Sequence, residues 1–134
     1  MYGREKRSEV KKNMTEVRDR EYEGRDVATI AISDIVTELG EYGFIPYDIC
    51  TGVGHQSVLC DSLWKPHFGV SLSDSKEEHY VFTISSMAGW DAEYDIQGRG
   101  ILLKRALDGM DETIGAWALL LNATRIVMGE IRST

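Results

Sequence analysis

The apolar residues between positions 28 and 42 recur every three or four residues, which places them on one side of an α-helix. This apolar face comprises Ala28, Ala31, Ile32, Ile35, Val36, Leu39 and Tyr42. Asp26 can cap the helix before the first of them, and Gly40 or Gly43 can end it. The pattern predicts an amphipathic helix packed on a core.

After Gly43 the period changes to the two-residue alternation of β-strands. Strands are predicted at residues 44–50, 56–60, 68–72, 80–85 and 91–96, with a polar hairpin loop at 73–78. Pro46 favours an edge position, or the beginning of a strand, for the first of these. The pattern predicts an antiparallel sheet of about four to five strands with one buried face.

A second helical region is predicted after the sheet. Gly98 and Gly100 are expected to end the sheet, residues 101–107 to form a short helix, and Asp111 to cap a long helix that reaches about Ile131. Apolar residues cover nearly the whole circumference of this long helix, which predicts burial on most sides. It is either the central helix under the sheet or also an interface with a second copy. The predicted fold class is therefore α+β, with an N-terminal helix, an antiparallel sheet and a long buried C-terminal helix.

Length and composition bound the organisation of the chain. Its 134 residues, 43% hydrophobic and 28% charged, are typical of one globular domain. Residues 1–23 are highly charged, with only three apolar residues at helical spacing, and are predicted to form a mobile or partly helical arm. Residues 24–134 are predicted to form the single domain. The sequence shows neither an apolar run of about 18 residues nor an apolar leader, so we expect a cytoplasmic protein without a membrane span.

The net charge of −7 is unevenly distributed. Up to Tyr22 there are seven basic and five acidic residues, giving +2, whereas the remainder has eight basic and 17 acidic residues, giving −9. An acidic body repels phosphates, which argues against direct binding of duplex nucleic acid. It is compatible with a basic protein partner, or simply with solubility.

Two cysteines and two histidines form the first candidate site. Cys50, His55, Cys60 and His67 have the spacing C-x4-H-x4-C-x6-H, and thiolate and imidazole are the ligands that zinc prefers. The segment from Cys50 to Cys60 resembles the second half of a retroviral-type zinc knuckle, although Tyr47 stands where the first cysteine of a knuckle would be. The resemblance implies zinc binding. The alternative is that both cysteines are buried, free core residues of two strands.

Three carboxylates form the second candidate site. Asp91, Glu93 and Asp95 alternate along a predicted strand, so all three should point to the same face of the sheet. Like charges at this spacing repel one another unless the face is solvated, holds a cation such as magnesium, or meets a basic partner. The site is therefore predicted to be a solvated face, a surface for a protein partner or a metal site.

Two tryptophans lie next to breaks in the predicted elements. Trp64 precedes Lys65-Pro66, and Trp90 follows Ala88-Gly89. A tryptophan at a strand end usually covers the core, but tryptophan also dominates binding hot spots. Exposure of either residue near the acidic strand would indicate a binding surface.

No nucleotide-binding loop and no signature of a catalytic nucleophile is present in the sequence. The main hypothesis is therefore a small acidic interaction protein that binds, or inhibits, a macromolecular partner. One version is a phage- or mobile-element-type inhibitor whose carboxylates imitate phosphates. The alternative is a small metal-dependent enzyme or zinc-stabilised module that uses either candidate site. A homo-oligomer formed through the C-terminal helix is compatible with both.

Overall fold

The structure, a computed structural model, describes residues 23–53, 64–71 and 75–133. In this part of the chain three helices and a four-stranded antiparallel sheet confirm the predicted α+β class. The elements are α1 (residues 23–40), β1 (Ile45–Cys50), β2 (His67–Ser71), α2 (Ser75–Ala88), β3 (Asp91–Tyr94), β4 (Gly100–Lys104) and α3 (Met110–Ser133).

The strand order in the sheet is β1-β2-β4-β3, and every neighbouring pair is antiparallel. Strands β3 and β4 form a hairpin, in which Gly98 has a φ of +73° that glycine adopts at little cost. Helix α2 connects β2 to β3 and so crosses over β4 in the strand order. Consequently β3, which follows the crossover, lies at one edge of the sheet.

The core lies between one face of the sheet and the three helices. Alternate residues of the two central strands are buried on this face: Phe68 and Val70 in β2, and Ile101 and Leu103 in β4. Ile35 of α1 and Val81 of α2 belong to the same buried cluster. The molecule therefore has two layers, and the face of the sheet opposite the helices is its outer face.

Helix α3 contributes the largest fully buried side chain of the described residues. Trp117 is fully buried, lies edge-on to Phe68, and donates a hydrogen bond from Nε1 to the Thr51 carbonyl at 2.8 Å. This bond ties the segment after β1 to the helix layer. A buried indole N–H requires such an acceptor, because leaving it unpaired would cost stability.

Helices α1 and α3 lie side by side in the same direction. The Arg125 side chain of α3 lies 3.6 Å from the Asp34 carboxylate of α1. Two turns further along α3, Arg132 forms ion pairs with Glu38 at 2.7 Å and with Glu41 at 2.8 Å. At the other end, a side chain at Gly24 would overlap Met110. The helix already includes residue 23, so Asp26 lies inside α1, and the prediction that it caps this helix is wrong.

The predicted strand at 80–85 and the preceding hairpin loop are wrong, because both fall largely in α2. The aromatic and β-branched residues of this segment favour strands, yet the buried residues follow the helical period: Val81, Ile84, Ser85 and Ala88. Glu77 and Glu78 lie in the first turn of α2, where acidic side chains favour a helix.

The predicted short helix at 101–107 is also wrong, since residues 100–104 form β4. Gly100 begins this strand instead of ending the sheet. A side chain at Gly100 would overlap the Val70 carbonyl of the neighbouring strand, so the glycine permits a close approach of two backbones. The predicted strand at 56–60 and residues 1–22 of the predicted arm at 1–23 lie outside the described residues.

The long C-terminal helix is confirmed, but one of its sides is exposed. Its buried face includes Trp117, Leu120 and Val127, whereas Leu119 and Ile126 are 50% and 42% exposed. By length and composition alone, α3 is the one helix among the described residues that could cross a membrane. Core helices of soluble proteins pass the same test, and the buried face of α3 packs in the core here.

Candidate functional site

The acidic strand is β3, and two of its carboxylates are on the surface. Asp91 and Glu93 are both exposed and lie on the outer face of the sheet. Lys104 of β4 donates a hydrogen bond from Nζ to Glu93 Oε1 at 2.7 Å. Within the described part of the chain Asp91 makes no ion pair. An exposed pair such as Glu93–Lys104 contributes little stability and can exchange partners.

The third carboxylate, Asp95, is held in a separate polar cluster. Its Oδ2 accepts hydrogen bonds from the Tyr47 hydroxyl and from Arg99 Nε, both at 2.8 Å, and its Oδ1 accepts one from the Gln97 backbone N–H at 2.9 Å. Only 11% of the Asp95 side chain is exposed. Asp95 therefore stabilises the outer face and is not available to a partner.

Tyr47 reaches this cluster from the opposite edge of the sheet. The Tyr47 ring lies over Gly69 of β2, and a side chain at Gly69 would overlap this ring. A register shift in β1 between Tyr47 and Cys50 contains Asp48, whose φ of +55° is unusual for a residue with a side chain. Arg99 completes the cluster: it lies 4.6 Å from the Tyr47 ring centre and bonds Asp48 at 3.3 Å.

The pKa values follow from these contacts. Removal from water, followed by the hydrogen bond to Asp95, raises the pKa of Tyr47 from 10.0 to about 12. The hydrogen bond from the Gln97 backbone, followed by that from Tyr47, lowers the pKa of Asp95 below its usual value of 3.8. At neutral pH Asp95 is therefore ionised and Tyr47 neutral, which suits a donor–acceptor pair.

The backbone of β3 has hydrogen-bonding groups directed at its free edge. Asp95 donates its N–H to the Gly100 carbonyl at 2.8 Å, and in an antiparallel pair the direction of these groups alternates along the strand. The N–H and C=O groups of Ala92 and Tyr94 thus point away from β4. Among the described residues no further strand pairs with them. Such an edge can receive another strand.

Apolar side chains accompany this edge. Tyr94 is 62% exposed and lies edge-on to the half-buried Phe82 of α2, with 5.6 Å between the ring centres. Ile96, in the hairpin that follows, is fully exposed. The β3 edge, defined here as Asp91–Tyr94 with Ile96, therefore combines carboxylates on one side with apolar groups on the other.

The structure does not place the two tryptophans at this edge. Trp90 is only 4% exposed; its Nε1 donates to the Ala116 carbonyl at 3.0 Å, and its ring packs on Trp117. Trp90 is therefore a core residue and is not part of the candidate surface. Trp64 is half-buried against the core, and its carbonyl accepts a hydrogen bond from Leu107 N–H at 2.9 Å.

Two of the four proposed zinc ligands are neighbours across strands. Cys50 of β1 lies opposite His67 of β2, and Cys50 is buried. His55 and Cys60 lie outside the described residues. Within the described ranges no group of three or more His, Cys, Asp or Glu side chains is arranged to hold a metal ion. This also applies to Asp91, Glu93 and Asp95.

Comparisons of the chain with protein-family models, with curated proteins and with solved structures give no match. The assignment of a function therefore depends on the geometry of the chain itself.

Sequence reasoning missed Tyr47, Asp48 and Arg99. Residues 47 and 99 are far apart in the chain and meet only because of the strand order, which local patterns do not reveal. One signal was readable: Asp95 and Arg99 are oppositely charged and four residues apart, a spacing that also fits the two sides of a tight hairpin turn.

Proposed function

We propose that this chain is a small acidic interaction protein that binds a basic segment of a partner protein along the β3 edge. The observation that carries the proposal is the combination of an open strand edge with exposed carboxylates. Among the described residues Asp91 makes no direct ion pair, and Lys104, which lies opposite it in β4, is paired with Glu93 on the surface. Ala92 and Tyr94 present backbone groups to an incoming strand.

The chemistry of the edge specifies the partner segment. A segment that adds to β3 would bond the Ala92 and Tyr94 backbones, and its side chains would alternate between the two faces of the sheet. Those on the outer face would meet Asp91 and Glu93, which favour lysine or arginine. Those on the opposite face would meet Tyr94, which favours apolar residues. The expected ligand is an extended segment in which basic and apolar residues alternate.

The charges of this surface support strand addition better than they support the inhibitor hypothesis, in which a row of carboxylates imitates phosphates. That hypothesis requires several uncompensated carboxylates, whereas Asp95 is bonded to Arg99 and Glu93 to Lys104. Strand addition requires only Asp91 and an exchangeable Glu93. The net −9 of residues 23–134 favours a basic partner in either version, because it accelerates encounter.

A labelled peptide of alternating lysine and valine tests the proposal, with an alternating glutamate–valine peptide of equal length as its control. We expect fluorescence anisotropy to show binding of the lysine peptide only. The double reversal Asp91→Lys/Glu93→Lys should weaken binding by about tenfold, since two surface charges change sign. Asp95 is left intact because its loss would disturb the Tyr47 cluster.

The matched control is Glu23→Lys/Asp26→Lys, which reverses two exposed charges on α1. It should leave the dissociation constant within about twofold of wild type. Equal binding of both peptides, or equal weakening by Glu23→Lys/Asp26→Lys, would show that only overall charge is recognised. Failure of the wild type to bind the lysine peptide contradicts the proposal.

A further inference from the structure

Lys104 projects from β4 onto the outer face of the sheet, beside the β3 edge. In the register of the sheet it lies opposite Asp91 of β3 on one side and opposite His67 of β2 on the other. Its Nζ does not pair with Asp91 but reaches diagonally to Glu93 Oε1, at 2.7 Å. A long side chain spans the roughly 7–8 Å of such a diagonal. One lysine thus faces both exposed carboxylates of the β3 edge and is bonded to one of them.

No other basic side chain of the described residues pairs with these two carboxylates. Arg99 is held in the Tyr47 cluster, where its Nε lies 2.8 Å from Asp95. Arg105, which follows Lys104 in the chain, lines a groove along the first half of α3. The two exposed carboxylates and Lys104 therefore carry charges of −2 and +1, which sum to −1.

The exposure of the Glu93–Lys104 pair allows it to exchange. The side chains of Lys104 and Glu93 are 47% and 51% exposed, and neither has a second side-chain partner among the described residues. Asp95 differs in both respects, because it is only 11% exposed and accepts three hydrogen bonds. An incoming cation therefore meets Asp91 directly and meets Glu93 only in the presence of Lys104.

We infer that Lys104 is an intramolecular competitor, which occupies Glu93 in the free protein and sets the affinity of the β3 edge for basic segments. A partner lysine that bonds Glu93 either displaces the Lys104 Nζ or shares the carboxylate with it. Displacement replaces one ion pair by another, and sharing brings two like charges close together. In both cases Lys104 reduces the gain from Glu93. The inference rests on the proposed function, because it concerns the same edge.

Removal of the charge of Lys104 tests the inference, with the lysine–valine peptide as the probe and fluorescence anisotropy as the assay. We expect Lys104→Gln to lower the dissociation constant about threefold, which is within the range of exposed ion pairs. Lys104→Arg retains the charge and should not increase the affinity.

The matched control is Lys65→Gln, which removes one exposed positive charge from the segment before β2. It changes the net charge by the same amount as Lys104→Gln. Because β4 separates β2 from β3 and salt screens distant charges, it should change the dissociation constant by less than about 1.5-fold.

A second background separates competition for Glu93 from general repulsion. In Glu93→Gln no carboxylate remains at this position for Lys104 to occupy, so Lys104→Gln should increase the affinity by less than about 1.5-fold there. Urea denaturation checks the fold of each variant. The midpoint of Lys104→Gln should stay close to that of the wild type, since the lost ion pair is exposed.

Equal affinities of the wild type and Lys104→Gln, with the peptide bound to both, would overturn the inference and leave the proposed function intact. An equal gain in Lys65→Gln, or an undiminished gain in the Glu93→Gln background, would also overturn it, since either would show repulsion by net charge. Absence of binding to the wild type and to Lys104→Gln alike would contradict the proposed function, and the inference with it.

Discussion

Gly69 is the position at which one added methyl group should disturb the outer face most. A side-chain carbon there would lie 2.7 Å from the Tyr47 carbonyl oxygen, and 2.8 Å and 2.9 Å from Cζ and Cε2 of its ring. Real contacts of this kind are longer, so Tyr47 must move. Gly69→Ala should therefore displace the ring that connects β1 to Asp95 and Arg99.

The magnitude follows from two effects. Forcing a methyl group into a filled space costs about 1–3 kcal/mol. Loss of the hydrogen bond donated by the Tyr47 hydroxyl adds about 1 kcal/mol. We therefore expect the free energy of unfolding to fall by roughly 2–4 kcal/mol, a large part of the 5–15 kcal/mol that is typical of a domain.

Urea denaturation at pH 7 measures this loss, and a double-mutant cycle assigns it. In a Tyr47→Ala background the ring is absent, so Gly69→Ala should cost about 1 kcal/mol less than in the wild type. Gly40→Ala serves as the control, because a side chain at Gly40 meets nothing within 4 Å; it should change stability by less than about 1 kcal/mol. Equal costs of Gly69→Ala in both backgrounds would refute the predicted contact.

Three other changes should also have measurable consequences. Trp90→Phe removes the hydrogen bond to the Ala116 carbonyl and should lower the free energy of unfolding by about 1–2 kcal/mol; a neutral effect in urea denaturation would contradict the core position of this indole. Because the pKa of Asp95 is lowered in the fold, its contribution to stability is complete above pH 3.8 or so and is lost as the pH falls below it; Asp95→Asn should flatten this acid dependence, and an unchanged slope would argue against the cluster. Because the pKa of Tyr47 is raised in the fold, the contribution of Tyr47 to the free energy of unfolding is complete below pH 10.0 and is lost as the pH rises towards 12. Ultraviolet titration should show one of the six tyrosines ionising near pH 12. This component of the titration should be missing in Tyr47→Phe.

The sequence predicted the elements whose period was unambiguous. The apolar face of α1, the alternation of Phe68 and Val70, and the run of α3 from about Asp111 each have one consistent interpretation, and the structure contains all three. In contrast, residues 80–85 satisfy both periods: alternation suggested a strand, while Val81, Ile84 and Ser85 also fit one side of a helix. The packing of this segment against the core selects the helix, and the propensities of a single sequence do not contain that information.

The error at residues 101–107 had a different cause. Ile101 and Leu103 alternate as a strand should, but the glycines that precede them also fit the end of a sheet. Their role is conformational: Gly98 turns the hairpin, and Gly100 permits contact with β2. Once this hairpin is missed, Arg99 cannot be placed beside Asp95, and the prediction of three equivalent carboxylates fails with it.

Amide hydrogen exchange of the β3 edge tests the central proposal most directly. The Ala92 and Tyr94 amides point away from β4, whereas the Glu93 amide already faces it. On addition of the lysine–valine peptide, exchange should slow at Ala92 and Tyr94, with little change at Glu93, and the effect should disappear in Asp91→Lys/Glu93→Lys. Unchanged exchange at Ala92 and Tyr94 in the presence of bound peptide would show that the partner does not dock at this edge.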